Sequence, residues 1–134
     1  DLFATLDLCL LDLRSGVAEF SKMAACQTII LRGGALMRVE SADLPLGVVE
    51  GARAGCSRVQ LRPGDMIVMA TDGVMEAGGG DFIAEALVGA QDISPRQLAA
   101  RLVHEAAARR AGGRADDLTC LCARIYPARK RKAG

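Results

Sequence analysis

The stretch Leu61–Gly80, LRPGDMIVMATDGVMEAGGG, decides how the rest of this chain is read. Its centre, Met66 to Ala70, is an apolar run of the length of a short buried strand. Arg62-Pro63-Gly64-Asp65 leads into it as a turn, with Pro63 fixing φ and Gly64 supplying conformational freedom. The run stops at Thr71-Asp72-Gly73, which places a carboxylate at the end of a strand with a glycine behind it. An Asp-Gly pair there is commonly a turn. It is also a position where a rigid backbone can hold a metal ligand, the glycine allowing close approach of the chain. On pattern alone the turn is the stronger reading.

Working outward, Asp81 to Val88 reads as a short helix and Gly78 to Gly80 as a linker, without the lysine or helix context of a phosphate-binding loop. The clearest helix spans 94–111. Ser94 caps it, Pro95 suits its first turn, Gln97 completes a capping box, and Gly112-Gly113 ends it. Leu98, Ala99, Leu102, Val103 and Ala106 form its apolar stripe, with His104 opposite and solvated. Leu118 to Tyr126 reads as a final buried strand, followed by a basic tail that includes Arg129 to Lys132. Upstream, Leu2 to Leu13 is apolar on both faces, as in a strand buried between layers, and Val17 to Phe20 returns after a turn at Arg14-Ser15-Gly16. Ile29–Arg32 and Ala35–Val39 flank Gly33-Gly34, a pair suited to a tight hairpin turn. Leu44 to Gly47 reads as a rigid loop, and Ser57 to Leu61 alternates like a strand. Strands, then helices, then one last strand predict an α+β fold of layered antiparallel sheets flanked by helices.

Composition bounds the function. A length of 134 residues with 51% hydrophobic content describes one folded domain with a core of its own. The net charge of +1 gives no electrostatic case for nucleic acid or a membrane surface. No apolar run approaches the ~20 residues of a membrane span. The five cysteines are scattered, and Cys120-Leu121-Cys122 is not a zinc spacing, so reduced, mostly buried thiols in a cytoplasmic protein are expected. The chain opens within a strand-like run and without Met, which suggests a piece of a longer protein.

Acids gather at strand ends. Asp72 follows the strand 66–70, and Asp116-Asp117 precede the strand 118–126. If those strands are antiparallel neighbours, both sites fall at one edge of the sheet, where hard oxygen ligands suit Mg²⁺ or Mn²⁺. Glu76 reads as an acid at a helix start, with a supporting role at a metal as the alternative.

The order Pro45-Leu46-Gly47, Gly64-Asp65, Thr71-Asp72-Gly73, Asp116-Asp117-Leu118-Thr119 resembles the C-terminal half of the PPM, or protein phosphatase 2C-like, metal-dependent Ser/Thr phosphatases, and most of all the bacterial sporulation members. Lys22 and the Leu31-Arg32-Gly33-Gly34 hairpin fit as well. The family's Lys-x-Gly-x-x-Pro-Ser is here Lys22-Met23-Ala24-Ala25-Cys26-Gln27-Thr28, which departs at the glycine, the proline and the serine.

The resemblance implies that Asp72 and Asp116 bind one divalent metal, with Gly73 and Asp117 adjacent. The nucleophile would be a metal-bound water, not a side chain. Two cations ~3.5–4 Å apart activate that water and neutralise phosphoryl charge. A further Asp-Gly motif, N-terminal to this region in the family, bridges the two metals, so the isolated chain is expected to be inactive. The implied substrate is a phosphorylated anti-anti-sigma factor, whose dephosphorylation releases a sigma factor in sporulation. A stress-response relative with another antagonist substrate and a non-catalytic interaction module are the alternatives. Residues 1–127 are expected to be the phosphatase portion and 128–134 a tail. The open apolar faces of the first strand are expected to favour pairing, up to a homodimer.

Overall fold

A computed structural model describes residues 4–40, 55–79, 82–110 and 117–128. The predicted Pro45-Leu46-Gly47 loop, Asp116, the Asp81 start of the short helix, the Gly112-Gly113 stop and the basic tail lie outside the described residues.

The strands are β1 (Leu6–Leu11), β2 (Val17–Met23), β3 (Thr28–Arg32), β4 (Ala35–Val39), β5 (Gly55–Gln60), β6 (Met66–Ala70) and β7 (Cys120–Arg124); the helices are α1 (Asp72–Met75), α2 (Phe82–Leu87) and α3 (Pro95–Arg109). The described strands form two antiparallel sheets, ordered β1-β2-β5 and β4-β3-β6-β7. The fold is α+β with layered antiparallel sheets, as the sequence predicts.

Alternation along the strands sets the layers. From the four-stranded sheet, Ile30, Ile67 and Val39 pack against Ala18 and Phe20 of β2. The opposite face of that sheet, carrying Ile29, Leu31, Met66 and Val68, is covered by Val74 of α1, Phe82 and Leu87 of α2, and Leu98, Leu102 and Ala106 of α3. α3 has the predicted capping box: the Gln97 amide donates to Ser94 Oγ at 3.3 Å and the Ser94 amide to Gln97 Oε1 at 3.4 Å. Its last turn gives way to extended backbone at Arg110. His104 is exposed, as its place opposite the stripe requires. The β3–β4 hairpin turns through Gly33 and Gly34 at φ 53° and 87°, a conformation that costs a residue with a Cβ.

Two expectations need correction. The first strand is not buried between layers: β1 is an edge strand, and Leu8 and Leu10 on its outer face are 51% and 66% exposed. Apolar residues on both faces do not reveal whether a layer covers the second face, and among the described residues none covers this one. The cysteines also lie nearer the surface than expected. Cys56 is exposed and the others are half-buried, with all five thiols free.

Asp65 locks the turn before β6. Arg32 grips its carboxylate with two bonds, Nε to Oδ1 at 2.9 Å and Nη2 to Oδ2 at 2.6 Å, and the Arg62 amide donates to Oδ2 at 2.8 Å. Burial pushes this carboxyl up, but the Arg32 and Arg62 bonds outweigh it and hold its pKa below the ordinary value. A depressed folded-state pKa gives stability that is complete above the unfolded value and is lost as pH falls through the folded one. The Asp65 contribution should therefore be full at neutral pH and disappear only below about pH 4, the ordinary carboxylate range. Urea unfolding of the protein and its Asp65→Asn variant between pH 7 and 3 checks this. The stability gap between the two should narrow as pH drops.

The candidate metal site at the β6–β7 edge

β6 and β7 are antiparallel neighbours, with Ala70 opposite Cys120 and Met66 opposite Arg124. The end of β6 and the beginning of β7 therefore share one edge of the sheet, as the placing of Asp72 and Asp116 requires. Thr71 ties the two together. Its amide donates to the Thr119 carbonyl at 3.0 Å, its hydroxyl donates to the Asp117 carbonyl at 2.9 Å, and the Thr119 amide donates to that hydroxyl at 3.1 Å.

Thr71-Asp72-Gly73 is not a turn but the start of a single helical turn. Thr71 takes the N-cap position with extended backbone, and its carbonyl accepts from the amides of Val74 at 2.9 Å and Met75 at 3.0 Å. Asp72 occupies the first position of α1, exposed, with Oδ1 accepting from the Gly73 amide at 2.9 Å. Glu76, expected at a helix start, is the C-cap residue of α1 and is exposed. Asp117 is exposed and anchored through its carbonyl; Asp116, its neighbour, lies outside the described residues. Thr71 and Asp117, the residues flanking the two predicted ligands in the chain, are thus in direct contact.

Asp72 opens into a cavity of about 330 Å³ whose lining includes Thr5, Asp7, Cys26, Thr71 and Thr119. Asp7 is the residue the sequence reading missed. It stands directly opposite Lys22 in the β1–β2 register. Lys22 Nζ donates to Asp7 Oδ1 at 2.5 Å and to Thr28 Oγ1 at 2.9 Å, with the lysine side chain 2% exposed. The signal was available. Asp7 shares the inward face of β1 with Cys9 and Leu11, and Lys22 that of β2 with Ala18 and Phe20. Opposite charges at facing inward positions of one hairpin mark a buried pair.

The donors suit a hard cation. Within a largely apolar lining, the carboxylates of Asp7 and Asp72 and the hydroxyls of Thr5, Thr71 and Thr119 supply oxygen donors. The Cys26 thiol is held protonated, because burial first, and then the nearby Asp72 and Glu76 carboxylates, push its pKa up. A protonated thiol is a poor ligand for soft metals. No cluster of three His, Cys, Asp or Glu side chains arranged for a metal occurs among the described residues. Cys120 and Cys122, with sulfurs 3.9 Å apart, pack against the helical core instead.

The loop at Ala24 keeps a left-handed backbone, φ 44°, although the side chain there is alanine, not glycine. That conformation costs roughly 1–2 kcal/mol for a residue with a Cβ. Alanine thus stands here in a backbone conformation that glycine adopts more readily.

Comparison with known proteins places this arrangement. Stage II sporulation protein E of Bacillus subtilis (strain 168) is 28% identical over 130 residues, covering 93% of this chain and 16% of that protein's length. The structure of the phosphatase domain of the cell-fate determinant SpoIIE from Bacillus subtilis, presoaked with Mn, superposes with a TM-score of 0.78 at 27% identity, over 95% of this chain and 58% of that one. The structure of the RsbU and RsbW domains of Rv1364c from Mycobacterium tuberculosis superposes with a TM-score of 0.67 at 26% identity, over 92% of this chain and 37% of that one. The chain thus spans about a sixth of the curated relative and somewhat over half of the phosphatase domain. The family model described as stage II sporulation protein E (SpoIIE) matches residues 1–126, and the chain belongs to that family.

Proposed function

We propose that this chain forms one side of a divalent-metal centre that hydrolyses phosphoserine on a protein, with Asp72 and Asp116 as metal ligands and Gly73 and Asp117 beside them. The observation that carries the proposal is the Thr71 hydroxyl on the carbonyl of Asp117, the chain neighbour of Asp116, at the strand end that bears Asp72. Mn²⁺ or Mg²⁺ is the fitting cofactor, and when bound it would supply a Lewis acid and an activated water at neutral pH.

The chain's own residues have three tasks. Asp72 presents a carboxylate from a turn fixed by Thr71. Thr71 and Thr119 hold the two strand ends in register. Cys26 and Met69 give the cavity an apolar wall that limits water around the phosphoryl group. The remaining ligands of a two-metal centre would come from the rest of the phosphatase domain, of which this chain corresponds to about half.

The family points to a phosphorylated anti-anti-sigma factor as substrate, in the control of sigma-factor release during sporulation. The likeness to the RsbU-bearing structure keeps a second reading, an antagonist protein of another regulatory system. Neither reading calls for nucleic acid. Among the described residues no helix is long and apolar enough to cross a membrane.

The test is phosphate release by the full-length protein from phosphoserine forms of both classes of antagonist, with Mn²⁺ or Mg²⁺ and with chelator. Turnover should need the cation. Asp116→Asn should abolish it, while Asp117→Asn should spare most of it, since the Asp117 carbonyl rather than its carboxylate makes the structural bond. The reverse pattern would assign the ligand to Asp117. Equal turnover in chelator would overturn the metal reading.

A further inference from the structure

We infer that Asp7 is a positioning carboxylate of the Asp72 cavity, locked by Lys22, whose second oxygen takes a hydrogen bond from water coordinated to a divalent cation in that cavity. The inference rests on the metal reading of Asp72 and adds to it a residue on the other sheet.

The pair is oddly placed for a purely structural one. Asp7 and Lys22 sit at facing inward positions of β1 and β2, among Cys9, Leu11, Ala18 and Phe20. A well-packed apolar pair at such positions commonly matches or exceeds a buried ion pair in stability. Stability therefore gives little reason for these charges.

The geometry supplies a reason. Thr28 and Lys22 are both fully buried, and the Thr28 hydroxyl with Asp7 Oδ1 fixes the ammonium. The ammonium in turn fixes Asp7, so the carboxylate plane is set from behind. The Asp7 side chain remains 22% exposed and lines the cavity that Asp72 also lines. Oδ1 is taken by Lys22, and among the described residues nothing bonds to Oδ2. A fixed acceptor just outside the ligand shell is what orients coordinated water, and loss of such a partner weakens metal affinity by about 10–100-fold.

The test uses Mn²⁺ affinity of the full-length protein, read from the electron paramagnetic resonance signal of free Mn²⁺, with no reliance on turnover. Asp7→Asn is close to isosteric: its amide oxygen can still accept from Lys22, but an N–H donor replaces the acceptor toward the cavity. The double variant Asp7→Leu/Lys22→Met removes both charges and leaves no buried ion unpaired. Both variants should bind Mn²⁺ about 10–100-fold more weakly than the parent, with native circular dichroism. Asp7→Glu should recover part of the loss. If the parent binds Mn²⁺, Asp72→Asn loses it, and both Asp7 variants stay within twofold of the parent, the pair is structural and the inference is overturned alone. If the parent does not bind Mn²⁺ at all, the metal centre fails and the role of Asp7 fails with it. Should the double variant not fold, Asp7→Asn decides by the same comparison.

Discussion

Asp72→Asn should eliminate metal-dependent phosphoserine hydrolysis and weaken Mn²⁺ binding by more than about 100-fold, beyond the range seen when only an outer partner of a ligand is lost. The substitution is nearly isosteric, and its structural cost is small. Asp72 is exposed, and its side-chain bond within the fold, Oδ1 to the Gly73 amide, can be kept by the amide oxygen of asparagine. Thr71, not Asp72, caps α1 and bridges to β7. The folded structure should therefore survive while the charge that holds the cation is gone. Calorimetric Mn²⁺ titration beside thermal unfolding separates the two effects. Unchanged Mn²⁺ affinity would remove Asp72 from the ligand set.

A second large effect is expected at the β1–β2 pair, and it should be asymmetric. Asp7→Ala leaves the Lys22 ammonium 2% exposed with only the Thr28 hydroxyl as a partner. Breaking a buried pair from one side costs about 3–5 kcal/mol, mostly the penalty of the stranded charge. For a domain of this size that lowers the melting temperature by roughly 10–20 °C. Lys22→Met strands Asp7 instead, and Asp7 retains 22% exposure through which water reaches it. Its cost should be clearly smaller. Denaturant unfolding of both variants decides. Equal losses would mean that the two charges are equally shielded, contrary to their exposures.

What the sequence revealed follows from the range of each signal. The β6 run and the α3 capping box are local patterns, and both survive in the structure. The helical turn of α1 was read as an Asp-Gly turn because Thr-Asp-Gly-Val carries turn residues, and Thr71 holds the N-cap position without the side-chain bond that usually marks a cap. Lys22 entered only through family likeness, since its partner lies across a hairpin and becomes visible only once the register is known. Burial of β1 was overestimated because alternation along one strand shows which residues share a face, not whether another layer lies over that face. Asp116, predicted as a ligand, lies outside the described residues; its neighbour Asp117 touches Thr71, which precedes Asp72.

Ala24 has a consequence for how such loops are recognised. A left-handed backbone is usually inferred from glycine, and a reading that demands glycine would miss this position, which reaches φ 44° with a methyl group attached. Glycine and alanine codons differ by a single base, so the exchange is an easy step for drift. A cost of roughly 1–2 kcal/mol is small enough for a folded domain to absorb. A left-handed position beside the cavity can thus carry alanine, and searches for distant relatives gain reach by scoring the backbone angle a position must adopt instead of the letter found there.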